Sequence, residues 1–229
     1  MILVRHGRTA ANVDGVLAGR SPGVDLDDVG REQAAAVAAR LSPLPVRVVV
    51  SSPLERTMQT ATVIAKSAPE PLRVHRDRGL IECGYGTWTG RRLADLAKET
   101  LWRTVQTQPS AARFPDGESM PEMQHRALQA VRRWDAVVAA EHGPHALWVA
   151  VSHGDVIKAI IADALATHLD QFQRIVVSPA SVTVISYTDA RPYVVHVNDT
   201  GSDLAGLRPP TKRRRRRRGG DDAVVGGGA

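Results

Sequence analysis

The sequence predicts an α/β fold, a three-layer sandwich with a mostly parallel central sheet and helices on both faces. Three observations predict it. Short apolar runs alternate with segments of helical period through most of the chain. With 229 residues, 43% of them hydrophobic, the chain is long and apolar enough for one sizeable core. Three of the apolar runs end in dense polar clusters, and ligands of open α/β sheets bind where strands end.

The elements follow in order. Ile2-Leu3-Val4 reads as a buried strand that stops at Arg5-His6-Gly7. Asp27 or Asp28 caps a helix over 29–41, where Ala34, Val37, Ala38 and Leu41 keep helical spacing. The β-branched run 46–50 is the second strand, and Ser51-Ser52-Pro53 ends it. Ser52 as N-cap and Pro53 at the first helical position predict a helix running to about Ala65. Leu72-Arg73-Val74 reads as a short third strand, and the Gly- and Thr-rich stretch 79–91 as a loop. Helices are expected over 92–106 and 120–141, the second capped by Ser119. Residues 146–151 form a strong strand ending in Ser152-His153-Gly154, and a helix follows over 155–165. Segments 181–187 and 193–197 alternate and read as a strand pair.

The net charge of +6 and the pI near 10.1 suggest a nucleic-acid binder at first sight. Seven of the 30 basic residues, however, lie in the run Lys212 to Arg218, and two of the 24 acids are Asp221 and Asp222. Residues 1–211 therefore carry a net charge of only +1. The expected division is a catalytic domain over 1–207 and a disordered basic, Gly-rich tail over 208–229. A solvated tail is the favoured reading of that run, ahead of binding to nucleic acid or to an acidic surface. A single cysteine, Cys83, leaves no intramolecular disulfide, which suits a reducing compartment. No signal peptide is expected before the first strand, and no apolar stretch is long enough to span a bilayer. The expectation is a cytoplasmic protein without membrane insertion; the sequence gives no oligomeric state.

Two of the eight histidines, His6 and His153, share a setting: each follows an apolar strand and precedes a glycine. Adjacent strand ends would bring them face to face, and Gly7 and Gly154 let backbone approach a ligand closely. Arg5, Arg8 and Arg56 would supply bidentate, permanently charged donors suited to phosphate oxygens. The start of the helix after Pro53 would add free N–H groups. A phosphate is the obvious guest of such a pocket. His75, His125, His142, His145, His168 and His196 lack this setting and read as surface or satisfied core residues.

These residues resemble a known family. Leu3 to Thr9 with Asn12 is similar to the RHG signature of the histidine phosphatase superfamily, in its phosphoglycerate-mutase-like branch. Ser51 to Thr57 with Gln59-Thr60-Ala61, Glu82 with Gly86 to Gly90, and Val151 to Gly154 resemble its later motifs, in the family's order. The resemblance implies that His6 is the nucleophile and forms a phosphohistidine. It implies that Arg5, Arg56 and His153 hold the phosphoryl oxygens, that Thr9, Asn12 and Gly154 belong to the phosphate site, and that Glu82 is the acid and base. Arg8 reads equally well as a contact to the non-transferred part of the substrate or as a solvated charge. Such in-line transfer needs positioning and charge stabilisation, so a cationic cradle can replace a metal. No metal-ligand cluster or GxxxxGK[ST] loop stands in the sequence, and no cofactor is expected.

Other phosphatase chemistries fit less well. Cys83 has Thr89 six residues on, where a cysteine phosphatase needs arginine. Asp25-Leu26-Asp27 resembles an aspartate-nucleophile motif but follows a turn, Gly19 to Gly23, rather than a strand. The expected function is hydrolysis of a small phosphomonoester. The alternatives are a cofactor-dependent phosphomutase and a non-enzymatic phosphate-binding protein on the same fold. The loop Gly84 to Arg91 is more similar to the phosphatase members than to the mutases, and Ala11-Asn12 stands where those mutases have tryptophan-asparagine. Selectivity is expected from an insert at about 92–125 over the site, including Trp102, Arg103, Arg113 and Phe114.

Overall fold

Strand β1 (Ile2–Arg5) is buried along its whole length. It sits inside a six-stranded sheet with β2 (Val46–Ser51), β3 (Val74–Arg76), β4 (Leu147–Ser152), β5 (Val182–Ser186) and β6 (Tyr193–Asp199). The computed structural model describes residues 1–201. The expected domain boundary at 207/208 and the run Lys212–Arg218 lie outside them. The strand order is β3-β2-β4-β1-β5-β6. β1 to β4 run parallel, while β5 lies antiparallel to β1 and β6 antiparallel to β5.

The helices are α1 (Ala10–Val13), α2 (Asp28–Leu41), α3 (Glu55–Ser67), α4 (Leu93–Leu96), α5 (Thr100–Thr107), α6 (Met120–His142) and α7 (Gly154–Ala164). Strand alternation divides the apolar residues between two faces. On one face Ile2, Val4, Val49, Val149 and Val151 meet Val37, Ala38 and Leu41 of α2 and Ala61, Ile64 and Ala65 of α3. On the other, Leu3, Val50 and Ala150 meet Met123, Ala127 and Val131 of α6 and Val156, Ile160 and Ile161 of α7. The result is the expected three-layer sandwich. Among the described residues no helix is long and apolar enough to cross a membrane.

Three elements differ from expectation. α3 begins at Glu55, and its N-cap Leu54 makes no side-chain cap. Ser52 Oγ instead lies 2.8 Å from the His153 ring and accepts only a long 3.5 Å bond from Leu54 N, ahead of the helix. The third strand is shifted to Val74–Arg76. The stretch 92–106 is two helices, because Leu96 and Val105 are both fully buried. Nine residues apart on one straight helix, they would lie on opposite faces. The extended backbone at Glu99 turns the second helix so that both reach the core. Ser119 caps α6 with a full capping box through Glu122, as its sequence predicts.

Candidate active site

The sheet register places the polar clusters at one edge. Arg5 pairs with Ser152 across β1 and β4, and Ser51 with Val151 across β2 and β4. The next residues, His6, Ser52 and His153, therefore leave three neighbouring strands together. The rings of His6 and His153 lie 5.2 Å apart, edge to face. Arg56, the second residue of α3, donates from Nε to His6 Nε2 at 3.3 Å and from Nη2 to the Gly19 carbonyl at 2.7 Å. A narrow cleft opens here, lined by His6, Thr9, Asn12, Gly19, Arg56 and Glu82 with an apolar wall that includes Val16 and Leu17.

Hydrogen bonding fixes the His6 tautomer. Nδ1 lies 2.7 Å from the Gly7 carbonyl, which can only accept, so Nδ1 carries the proton. Nε2 keeps its lone pair toward Arg56. Burial, then the charges of Arg56 and Arg5, hold the His6 pKa well below its ordinary value, so the ring is neutral at physiological pH. The same causes, burial first, keep His153 neutral. Its Nδ1 stands 3.9 Å from Glu82 Oε2, a polar contact rather than an ion pair. Among the described residues, His153 Nδ1 and Arg56 Nη1 are buried without a hydrogen-bond partner. Such atoms are poised for a guest with acceptor oxygens. Arg5 is fully buried and donates to the Val177 carbonyl at 2.7 Å.

Glu82 is 4% exposed. Burial, then the negative charge of Asp155, push its carboxyl up to about 7, against the opposing charges of Arg56 and Arg5. Its Oε1 accepts from Cys83 N at 2.9 Å. Arg20 and Arg126 both donate to its main-chain carbonyl, at 2.7 and 3.1 Å. Glu118 ties those two guanidinium groups together and accepts from Gly84 N. The loop read as irregular is thus anchored through its backbone.

The structure brings together His6, Arg56, Glu82, His153, Thr9 and Asn12. Thr9 caps α1 in a capping box with Asn12, which turns the Asn12 carbonyl oxygen inward to Thr9. Gly154 is the buried first residue of α7. Arg8 points elsewhere and pairs with Asp27 at 2.8 Å. The stretch 92–125 supplies only Leu93 to the cleft lining among the described residues. Phe114 packs on Tyr85 and Trp88, Trp102 stacks on Trp88, and Arg113 pairs with Glu122. The cleft wall comes instead from the segment after the first motif, Ala11 to Gly19. Sequence reading missed Ser52 as a partner of His153, and missed Asp155 and Tyr85, joined at 2.7 Å. For Asp155 a signal existed: it sits two residues after His153. Among the described residues no group of three or more His, Cys, Asp or Glu is placed to hold a metal ion.

Comparison with known proteins agrees with this geometry. Phosphoserine phosphatase 1 of Hydrogenobacter thermophilus is 30% identical over 211 residues, covering 87% of this chain and 92% of that protein. A probable phosphoglycerate mutase GpmB of Erwinia tasmaniensis is 30% identical over 209 residues, covering 90% of this chain and 93% of the relative. The solved structure of mycobacterial hydrolase 1 superposes with a TM-score of 0.79 at 26% identity, over 88% of this chain and 98% of that one. The profile of the histidine phosphatase superfamily (branch 1) matches residues 1–200, which span both histidine motifs and all six strands, and the chain belongs to that superfamily.

Proposed function

We propose that the protein is a phosphatase that hydrolyses a small phosphomonoester through a phosphohistidine on His6, with no metal in the transfer. One observation carries this reading. His6 presents an unprotonated Nε2 beside Arg56, in the same cleft as a carboxyl whose pKa is pushed up to about 7.

In the first step His6 Nε2 attacks phosphorus and forms a P–N bond while the bond to the alcohol oxygen breaks. The Glu82 proton goes to that departing oxygen. Arg56, Arg5 and the His153 ring stabilise the charge that spreads over the equatorial oxygens. In the second step the Glu82 carboxylate takes a proton from water, whose oxygen attacks phosphorus. The P–N bond breaks, its electron pair returns to Nε2, and phosphate leaves. The narrow cleft supports a small substrate. Names among the relatives include both phosphatases and phosphoglycerate mutases, so the fate of the phosphoryl group needs its own experiment.

The test is a panel of phosphomonoesters run in EDTA, with and without 2,3-bisphosphoglycerate. Release of inorganic phosphate is the expected result, with His6→Ala losing both turnover and acid-labile phosphoenzyme. Isomerisation that depends on the bisphosphate, without phosphate release, supports a mutase instead. Wild-type activity in His6→Ala overturns the mechanism.

A further inference from the structure

Asp155 has no place in the chemistry just described, yet it is fully buried at the head of α7. It sits among other charges, and the fully buried Arg5 of β1 interacts with it. Lys158, 1% exposed, stands one turn on with Nζ 3.9 Å from Asp155 Oδ1. That ammonium donates to Gln173 at 3.1 Å and lies over the Phe172 ring at 5.3 Å. Apolar residues of the same shape would often leave stability unchanged or raise it. A buried charge at this point calls for a role other than stability. Its other oxygen, Oδ2, accepts the Tyr85 hydroxyl at 2.7 Å. Tyr85 is fully buried and stands three residues after Glu82. Asp155 stands two residues after His153.

We propose that Asp155 is a positioning residue for the general acid: through Tyr85 it clamps the loop bearing Glu82 to the helix that follows His153. The inference rests on the phosphatase reading of the site. The clamp holds the loop by the Tyr85 side chain and the Arg20–Glu118–Arg126 cluster holds it by the Glu82 carbonyl, so the loop is gripped from two sides. A second consequence is electrostatic. Glu82 faces Arg5 from β1, Arg56 from α3, His153 ahead of α7 and Asp155 within it. His6 lines the same cleft, Arg126 reaches the Glu82 carbonyl from α6, and Cys83 and Tyr85 share its loop. Of these groups Asp155 is the one whose charge favours a proton on Glu82.

The experiment compares two substrates, 2-glycerol phosphate and 4-nitrophenyl phosphate, in wild type, Tyr85→Phe, Asp155→Asn and Glu82→Gln. The alkoxide leaves only with a proton, whereas nitrophenolate leaves without one. Tyr85→Phe deletes a single oxygen, and its melting temperature is measured alongside. Tyr85→Phe and Asp155→Asn should slow the alkyl ester about tenfold more than the aryl ester, a fraction of what loss of the acid itself would remove. Asp155→Asn keeps an acceptor for Tyr85 but drops the charge, so the basic limb of kcat/KM should move to lower pH. Equal loss on both substrates, or no loss on either, overturns the clamp. If Glu82→Gln itself shows no preference between the two esters, the phosphatase reading fails first. If Glu82→Gln shows it and Tyr85→Phe does not, only the clamp fails.

Discussion

At the scale of single residues, the proposed mechanism needs each group in the protonation state that its step requires. His6 needs a free lone pair, and burial beside two guanidinium groups supplies it. Glu82 needs a proton for the first step, and burial beside Asp155 supplies that. The signs make a testable profile. Below about 7 the Glu82 carboxyl keeps its proton; above it the acid form falls tenfold per pH unit. kcat/KM for an alkyl phosphomonoester should therefore show a basic limb near that pH. Glu82→Gln should abolish the limb and slow the alkyl ester by roughly 10²–10⁴-fold. A limb unchanged in Glu82→Gln would assign it to another group. The residue types of this site were legible in the sequence because each sits in a short contiguous motif. Tyr85 was not, and Asp155 only through its place two residues after His153, since the meaning of both depends on a contact across 70 residues of chain.

At the scale of elements, close backbone approach does what sequence patterns only suggest. Gly7 follows His6 and donates its N–H to Thr60 Oγ1 on α3 at 3.1 Å. A Cβ added at Gly7 would meet the Gly30 carbonyl oxygen, in the first turn of α2, at 2.4 Å. Backbone on both sides leaves no flexible group to yield. Gly7→Ala should therefore push β1 and α2 apart, move the His6 ring and lower both stability and kcat. The measurement is a denaturant midpoint together with turnover; a variant with wild-type values for both would show that the gap relaxes freely. Strand positions other than that of β3, and the caps at Asp27 and Ser119, were readable from periodicity and polar side chains. The start of α3 was not. Ser52 has the chemistry of a cap, but its hydroxyl is held by His153, 101 residues away in sequence. The break between α4 and α5 was hidden for a related reason: it depends on which direction the core lies from Leu96 and Val105.

At the scale of the whole molecule, the alternation of apolar runs announced the layers, and the strand order had to come from the structure. β1 lies between β4 and β5, whose residues come more than 140 positions later. The amino group of Met1 donates to the Ile185 carbonyl at 2.9 Å. Such distant pairing predicts slow folding, because loop closure must precede the contacts that reward it. Refolding from denaturant should regain tryptophan fluorescence and phosphatase activity in one common slow phase. Activity that returns well ahead of the fluorescence would contradict this.

The central place of β1 also bears on synthesis at the ribosome. The strand that leads into His6 emerges more than 140 residues before its neighbour β4 and His153. Until then His6 has neither its opposing imidazole nor the helix that carries Asp155. A nascent or prematurely terminated chain should thus be chemically silent toward the cell's phosphate esters. On the proposed mechanism, hydrolysis waits until β4 and His153 stand beside β1.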